Sequence, residues 1–543
     1  MSRLRVRSLS ALVIALLATP VGGPRSAAAQ GATLSPIATS AGPVVGRDSA
    51  GIRRWFGIPF VAAPVGTLRW RPPQPVAAWK EPRAAAQFGP QCMQTDRLTK
   101  LFGGPMESIS EDCLTLNVWS GARAGERRPV MVWIHGGAFT HGSGRSTVYD
   151  GTRLAELGAV VVTINYRLGI FGFLAHPALS AESPVHASGN YGLLDQAAAL
   201  RWVQTEISAF GGDPSNVTIF GESAGAFSVG YLLVSAPSQG LFHKAILESG
   251  SAFRIVSPLR GGPSSAESRG LAIAERLGAN GASSDALAQL RAIPADSLLA
   301  RIGESPLMAT NETVDGLFLT EQPIVALDAG RVARVPIVIG SNADESTILI
   351  RDLKLRTAAE LDSAARVSYP AHADRILAGY PAEGPVGPVK AFRLLWTDDV
   401  FTAPARETAR AAARLGAPVF RYYYTRVASG MGGAALGAFH ASEIPFVFGA
   451  RGVTSPLWGT TSYDGALADA MSGAWVRFAS TGDPNGGALP AWPRFTIDGD
   501  EAFEFGPALR AIPGPRPAQL DLIAAALRLR LVGANRTNAG GSR

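Results

Sequence analysis

The feature that most constrains this chain is a Gly-Glu-Ser-Ala-Gly sequence at residues 221–225. It follows an apolar, β-branched run at 217–220 and precedes small and apolar residues at 226–233. This order predicts a strand, a tight turn at Ser223 and a helix, with the serine hydroxyl held out above a sheet as a nucleophile. The glycines have a steric role, because side chains two residues to either side of so sharp a turn would collide.

Apolar strands alternate with helical patterns along most of the chain. In chain order, we predict strands at 42–46, 54–60, 110–119, 130–134, 159–166, 217–220, 242–248, 335–340 and 419–424, and helices at 191–207, 266–277, 358–377 and 520–531. Continuously apolar strands that alternate with helices are typical of an α/β fold whose mostly parallel sheet is covered on both faces. The 419–424 strand is the last clear one in the sequence.

The chain is expected to form one domain behind a leader. Arg3, Arg5 and Arg7 precede a short apolar core at 11–18, and three alanines at 27–29 form a small-residue cleavage site. These features predict a signal peptide at 1–29, removed near Ala29, and a secreted or periplasmic protein. No long Gly/Ser linker divides 30–534, where the segments between strands would form cap insertions, and 535–543 is expected to be a flexible tail.

Composition limits the possible partners. The net charge is +7, but the arginines are scattered singly without a basic run, so we expect no nucleic acid. Neither the leader core nor any later stretch is long enough to span a membrane, so we expect no membrane insertion. The only two cysteines are Cys92 and Cys113. Export favours a disulfide between them over two free buried thiols.

A serine hydroxyl needs a base to act as a nucleophile, and that base should be a histidine held by a carboxylate. On a sheet of this kind the chain order is serine, acid, histidine. Only His372 and His440 of the seven histidines follow a plausible acid. His372 lies in a loop that enters a helix and is expected at the surface. His440 follows the last strand and a glycine-rich loop, so His440 is preferred.

Two acids follow the strand at 335–340. Asp344 and Glu345 both lie where the carboxyl end of this strand is expected, which is the edge where sites form on such sheets. The residues alone leave the choice between them open, and a solvated turn is an equal alternative.

A glycine-rich turn follows the strand at 130–134. His135 to Phe139 read His-Gly-Gly-Ala-Phe. Small residues let backbone N–H groups approach a carbonyl oxygen as it gains negative charge, so this turn is a candidate oxyanion hole. The alternative is an ordinary Gly-Gly turn. His135 itself is expected to order the loop rather than act as the base.

Several longer motifs resemble the type-B carboxylesterases, an α/β-hydrolase family that includes para-nitrobenzyl-type esterases and acetylcholinesterase. The matching segments are Phe-Gly-Ile-Pro-Phe at 56–60, Glu-Asp-Cys-Leu-Thr-Leu-Asn-Val at 111–118, Asn-Tyr-Arg-Leu-Gly at 165–169, Gly-Asn-Tyr-Gly-Leu-Leu-Asp-Gln at 189–196 and Phe-Gly-Gly-Asp-Pro at 210–214. With the stretch at 217–225, the resemblance runs from about Gly46 to Trp492.

The resemblance implies roles for individual residues. Ser223 would be the nucleophile, His440 the base, and Glu345 rather than Asp344 the acid. The stretch at 442–449 resembles the segment that follows the family's histidine. The oxyanion hole would be formed by the N–H groups of three residues, Gly137, Ala138 and Ala224; Ala138 replaces a glycine found in many relatives. Cys92 and Cys113 match the family's first disulfide.

The function that this resemblance implies is an exported serine carboxylesterase working through an acyl-enzyme. It would act as a monomer on small-molecule esters, with no cofactor and no metal. Activity should fall as pH drops through the histidine pKa, about 6.5 when unperturbed. A binding protein on the same fold, an amidase and a true lipase are the alternatives. Intact Ser223, Glu345 and His440 disfavour the first, and the sequence does not reveal the ester.

Overall fold

The structure is a computed structural model, and it describes residues 31–97, 107–303, 305, 308, 310–383, 386–427, 429–430, 433–449 and 462–539. The signal peptide predicted at 1–29 and the last residues of the predicted tail lie outside the described residues. No helix within the described part is long and apolar enough to cross a membrane.

Twelve strands of the described chain form one large sheet. They are β1 (Ala32–Thr33), β2 (Arg47–Ser49), β3 (Ile52–Pro59), β4 (Thr115–Ser120), β5 (Arg128–Ile134), β6 (Val160–Ile164), β7 (Gly212–Glu222), β8 (Lys244–Glu248), β9 (Ile337–Asn342), β10 (Val419–Tyr424), β11 (Glu501–Phe505) and β12 (Leu509–Pro513). Their order in the sheet is β1-β2-β3-β4-β6-β5-β7-β8-β9-β10-β11-β12. Every neighbouring pair from β6 to β11 is parallel. The pairs at the two ends are antiparallel.

Short strands form smaller sheets beside the large one. Ile37–Ala38, Pro43–Val45 and Arg83–Ala84 make one, Gln91–Cys92 pairs with Ile109–Ser110, and Ser257–Pro258 pairs with Thr313–Val314. The mostly parallel sheet predicted from the sequence is confirmed.

Helices occupy most of the connections. They are α1 (Thr152–Glu156), α2 (Gly169–Phe173), α3 (Pro177–Glu182), α4 (Tyr191–Glu206), α5 (Ala224–Val234), α6 (Ala266–Arg276), α7 (Ser284–Ala292), α8 (Ala295–Ile302), α9 (Pro323–Asp328), α10 (Ser346–Leu349), α11 (Ala358–Ser368), α12 (Ala373–Gly379), α13 (Gly387–Thr397), α14 (Ala403–Arg414), α15 (Gly433–Leu436), α16 (Ile444–Val447), α17 (Ser462–Thr481) and α18 (Pro517–Ala539). A π-helical turn, Asp398–Thr402, joins α13 to α14, and 3-10 turns lie at Gly66–Leu68, Thr147–Tyr149, Ile207–Phe210 and Ala236–Ser238.

The sheet separates two apolar cores because successive side chains of a strand point to opposite faces. In β5, Val130, Val132 and Ile134 enter one core together with residues of α4 and α5. Met131 and Trp133 enter the other core together with residues of α1 and α17. Helices therefore cover both faces of the central strands, as the continuously apolar strand sequences predicted.

The predicted helix at 358–377 is wrong as a single element. The chain forms α11 and α12, which are separated by four residues that include Pro370. Proline disfavours the helical conformation of the residue before it, and Tyr369 has φ −135° and ψ 54°. A proline inside a helical pattern was the signal for this break.

The end of the chain also differs from the prediction. Two strands, β11 and β12, follow the strand at 419–424, which was expected to be the last clear one. Polar residues occupy β11 and β12, so their apolar pattern is interrupted. The final helix spans Pro517–Ala539, and the part of the predicted tail that is described, 535–539, is helical.

The loops that follow the parallel strands all begin at the same edge of the sheet, where the carboxyl ends of these strands lie. Ile134 at the end of β5 is paired with Gly221 of β7, and Glu222 is paired with Glu248 at the end of β8. Asn342 at the end of β9 is paired with Tyr424 at the end of β10. The loops that carry all of the proposed site residues begin at this edge.

Candidate active site

Ser223 occupies the turn between β7 and α5. Its backbone has φ 55° and ψ −122°, a conformation that residues other than glycine rarely adopt. Its N–H donates to the carbonyl oxygen of Glu248 at 2.9 Å, and its own carbonyl accepts from the N–H of Phe227 at 2.8 Å. These bonds hold the strained turn, and they leave the half-buried side chain at the first turn of the helix.

Two glycines make this turn possible. A Cβ on Gly221 would lie 2.5 Å from the carbonyl oxygen of Ile134 and 2.7 Å from the carbonyl carbon of Gly225. A Cβ on Gly225 would overlap the same oxygen of Ile134. The clash expected between the two sides of the turn exists, and the neighbouring strand β5 adds a second one.

The structure brings His440 and Glu345 together although 95 residues separate them. The Nδ1 atom of His440 lies 2.6 Å from Oε2 of Glu345 and is placed to donate a hydrogen bond to it. Glu345 is completely buried. The backbone N–H of Asn342 donates to its other oxygen, Oε1, at 2.7 Å. The carboxylate is thus fixed at both oxygens and orients the imidazole.

Asp344 occupies a different position from its neighbour Glu345. Its Oδ2 accepts from the N–H of Ala438 at 2.9 Å, and its own N–H donates to the carbonyl of Ala438 at 3.0 Å. Asp344 therefore ties the end of β9 to the loop that carries His440. The two acids that the residues alone did not separate have distinct partners in the structure.

The second imidazole nitrogen faces a residue that the sequence prediction did not include. Nε2 of His440 lies 3.0 Å from Oε1 of Glu222, the residue before the serine. Within the described residues, no hydrogen bond joins Ser223 Oγ to His440. The imidazole of His440 therefore lies at the turn, where it contacts the carboxyl group of Glu222 and not the hydroxyl of Ser223.

The glycine-rich loop after β5 packs directly against this turn. A Cβ on Gly136 would lie 3.1 Å from the Cβ of Ser223. Gly137 has φ 108° and Ala138 has φ 54°. Within the described residues, no acceptor is recorded for the N–H of Gly137 or Ala138. Ala224 is the first residue of α5, where N–H groups lack an intrahelical acceptor.

Buried carboxyl groups lie near the imidazole and near the turn at Ser223. Glu222, Glu248 and Glu443 are each at most 3 % exposed. Glu248 accepts from the indole N–H of Trp475 at 2.8 Å. Burial raises the pKa of Glu222 to about 8 and that of Glu443 to about 7, and it holds the pKa of Glu248 well above its usual range. A glutamate at the end of a buried strand was the available signal for Glu222 and Glu248.

His440 responds to this environment. Burial disfavours the imidazolium, but the nearby carboxylates of Glu222 and Glu345 stabilise it more strongly, and the pKa of His440 is raised to about 9. This value lies above the unperturbed one from which the pH dependence was expected. The carboxylates therefore make the imidazolium of His440 harder to deprotonate than that of an unperturbed histidine.

Two other histidines that the sequence analysis considered lie elsewhere. His135 places Nδ1 2.8 Å from the carbonyl of Gly136 and stacks on Tyr166 with the ring centroids 4.4 Å apart. Burial lowers its pKa to about 4, so it stays neutral and orders the loop. His372 precedes α12 and is half-buried.

The predicted disulfide is confirmed. Cys92 and Cys113 are joined, and their Cα atoms are 5.0 Å apart. Cys113 lies shortly before β4, and both cysteines pack in the larger of the two cores beside the sheet.

Known proteins resemble this chain over nearly all of its length. Residues 34–519 match the model of the carboxylesterase family. The chain is 39 % identical over 503 residues to the fumonisin B1 esterase of Sphingopyxis macrogoltabida, covering 88 % of this chain and 89 % of that protein. It is 36 % identical over 483 residues to the para-nitrobenzyl esterase of Bacillus subtilis (strain 168), covering 84 % and 92 %.

Solved structures agree with the sequence relatives. A carboxylesterase from Geobacillus stearothermophilus, determined at pH 6.2, has a TM-score of 0.80 and 38 % identity, covering 90 % of this chain and all of that chain. A PNB esterase has a TM-score of 0.79 and 34 % identity, covering 90 % of this chain and 99 % of that chain.

Proposed function

The chain belongs to the carboxylesterase family, and we propose that Ser223, His440 and Glu345 carry out its hydrolysis of esters. By family it is a serine hydrolase that acts on carboxylic esters, and it has the α/β-hydrolase fold. The observation that carries the proposal is the 2.6 Å contact between His440 Nδ1 and the fully buried Glu345. This contact leaves Nε2 directed at the turn that holds Ser223.

In the proposed first step, Ser223 Oγ attacks the ester carbonyl carbon. Neutral His440 accepts the hydroxyl proton at Nε2 as the C–O bond forms, and Glu345 stabilises the resulting imidazolium. When the tetrahedral intermediate collapses, the bond to the alcohol oxygen breaks and Nε2 returns the proton to that oxygen. The products of this step are the free alcohol and an acyl group esterified to Ser223.

Water completes the proposed cycle. His440 removes a proton from a water molecule that attacks the acyl carbon, and the bond to Ser223 Oγ breaks as Nε2 gives the proton to that oxygen. The carboxylic acid leaves, and the serine hydroxyl is restored. No group other than substrate and water enters the balance.

The N–H groups of Gly137, Ala138 and Ala224 are proposed to bind the carbonyl oxygen as it becomes negative. The positive φ values of Gly137 and Ala138 and the close packing of Gly136 on Ser223 support this assignment. The loss of one such donor costs about 3 kcal/mol of transition-state stabilisation in comparable sites.

Glu222 holds the imidazole in the resting enzyme in this proposal. Nε2 is 3.0 Å from Glu222, and Ser223 is the next residue, so a small rotation of the ring exchanges the carboxyl group for the hydroxyl. The rotation must accompany loss of the Nε2 proton, because a protonated Nε2 cannot act as a base.

Covalent labelling tests the nucleophile. We expect an aryl phosphonate ester to modify the wild type once, with the added mass on the peptide that contains Ser223. Ser223→Ala should not be labelled, whereas Ser228→Ala, a buried serine on the same helix, should be labelled like the wild type. Labelling of Ser223→Ala at the wild-type rate would assign the nucleophile elsewhere.

We also propose that the chain is exported. The charged, apolar and small-residue order of residues 1–29 and the Cys92–Cys113 disulfide support this. Expression with and without residues 1–29, followed by N-terminal sequencing of the secreted fraction, tests it. Mature protein that begins within a few residues of Gln30 is expected only from the full chain.

A further inference from the structure

One cation lies close to the proposed site without a hydrogen-bond partner. Arg254 follows β8, and its guanidinium carbon lies 4.3 Å from the ring centroid of Phe227. Nη1 is 3.3 Å from Oε1 of Glu312, which is buried, and 36 % of the Arg254 side chain is exposed. Within the described residues, none accepts a hydrogen bond from this guanidinium.

Aromatic contacts connect Arg254 to the proposed base. Phe227 is one helical turn after Ser223 and donates its N–H to the Ser223 carbonyl. Its ring stacks on Phe401 with the centroids 6.2 Å apart. The Phe401 ring is in turn 5.0 Å from the imidazole of His440. A path of three contacts thus runs from the guanidinium to the imidazole.

A second path leads from Arg254 to the proposed oxyanion loop. Glu312 accepts the hydroxyl hydrogen of Tyr231 at 2.6 Å. The Tyr231 ring stacks on Phe139 at 6.5 Å, and Phe139 directly follows Ala138. One path ends at the imidazole of His440 and the other at the loop after β5, and both begin at Arg254. Apart from Glu312 and His440, the residues on these two paths are aromatic, and Arg254 is the one permanent positive charge among them.

We propose that Arg254 binds a second, ionised carboxylate on the acyl group of the substrate, so that the esterase prefers half-esters of dicarboxylic acids. This inference rests on the proposed role of Ser223. Glu312 faces only Nη1 of Arg254, and within the described residues no partner contacts Nε or Nη2, which form a planar pair of donors that matches a carboxylate. A neutral acyl chain would leave the donors unpaired when it displaces water, which weakens its binding.

The carboxylate is assigned to the acyl group of the ester rather than to the alcohol, because the acyl group stays attached to Ser223 in the proposed intermediate. Phe227 lies about 6 Å along the helix axis from Ser223, and the guanidinium lies against the Phe227 ring. The proposal places the free carboxylate of an acyl chain of a few carbon atoms beside this ring.

Two esters of equal chain length test the proposal. The p-nitrophenyl monoester of adipic acid carries a carboxylate where p-nitrophenyl hexanoate carries a methyl group. We expect the wild type to prefer the adipate ester. Arg254→Gln should lower kcat/KM for that ester by about tenfold to a hundredfold, mainly through KM, and leave the hexanoate ester unchanged. Arg254→Lys, which keeps the charge and loses the paired donors, should fall between the two.

Arg260 provides the matched control. It lies on the same segment, is bonded to Glu267 and to the carbonyl of His186, and has no contact on either path. Arg260→Gln should behave like the wild type with both esters. Glu312→Gln removes the charge that competes for Arg254, so it should lower KM for the adipate ester alone. Added salt should weaken only the adipate reaction.

The outcomes separate this inference from the proposed function. Hydrolysis of the hexanoate ester, with no preference that depends on Arg254, would overturn the carboxylate site and leave the role of Ser223 intact. An equal loss with both esters in Arg254→Gln would also overturn it, because a structural role would affect both. A wild type that hydrolyses neither ester would overturn both proposals together.

Discussion

The turn at Ser223 and the His440–Glu345 pair are two halves of one candidate site, but the chain builds them in different ways. The turn is local: β7, α5 and two glycines place Ser223 with a strained backbone that the five-residue motif already specifies. The pair is remote: its members come from loops after β9 and β10, and Asp344 ties one loop to the other.

The difference shows which part of a site a sequence can specify by itself. The steric exclusion between Gly221 and Gly225 acts within five residues, so the motif records it directly, and the Ile134 carbonyl of the neighbouring strand adds a contact that the motif does not show. A hydrogen bond between residues 95 positions apart depends on parallel strands ending at one edge, and only the complete sheet fixes that geometry. We therefore expect changes in the local half to act on the turn alone, and changes in the remote half to depend on which acid is altered.

Removal of the proposed nucleophile should have the largest effect. Ser223→Ala deletes the atom proposed to form the acyl-enzyme, so kcat/KM should fall by about a millionfold, measured with a p-nitrophenyl ester. Ser228→Ala on the same helix should leave activity within a few-fold of the wild type. A rate in Ser223→Ala near the wild-type value would contradict the role proposed for the turn at Ser223.

The two neighbouring acids should differ next. Glu345→Gln retains the shape but loses the charge that stabilises the imidazolium, and should lower kcat by about 10⁴-fold. Asp344→Ala removes the oxygen that accepts the Ala438 N–H and should cost about 1–3 kcal/mol of unfolding free energy with a much smaller loss of kcat. Denaturant titration and steady-state kinetics on both variants decide this, and the reverse pattern would assign the acid to Asp344.

The sequence predicted the central strands and the turn because burial and steric exclusion leave direct patterns in it. From the residues alone it could not separate Asp344 from Glu345, since both follow the same strand and only the position of the His440 loop distinguishes them. The contact between Glu222 and His440 was missed for the same reason. The sequence did not predict strands β11 and β12, because polar residues interrupt their apolar pattern. The break between α11 and α12 did have a local signal, which is Pro370 itself.

A glycine substitution tests the local half through stability. Gly225→Ala would place a methyl group against the Ile134 carbonyl, a backbone atom that cannot move without disturbing β5. We expect a loss of about 3 kcal/mol in unfolding free energy. Gly465→Ala, in a helix where a Cβ meets open space, should be neutral or stabilising by up to about 1 kcal/mol. Equal effects of the two substitutions would show that the turn is not sterically limited.

The pH dependence of activity joins the two halves, because Glu222 belongs to the turn and His440 to the remote pair. The proposed base, His440, works only when neutral, so its raised pKa means that activity should fall as pH drops through a value above 6.5 and up to about 9. Glu222→Gln removes one carboxylate that stabilises the imidazolium. The acidic limb of kcat/KM should therefore move down by about one pH unit, and at pH 6.5 the variant should keep a larger fraction of its maximal rate.

Glu248→Gln is the matched control for that shift. Glu248 is as deeply buried as Glu222 but is bonded to Trp475 rather than to the imidazole, and the carboxylates that raise the pKa of His440 are those of Glu222, Glu345 and Glu443. Its acidic limb should coincide with that of the wild type. If both variants shift equally, the whole buried acidic cluster sets the pKa of the base. If neither shifts, the contact between Glu222 and His440 does not persist in solution, and the two halves of the site titrate independently.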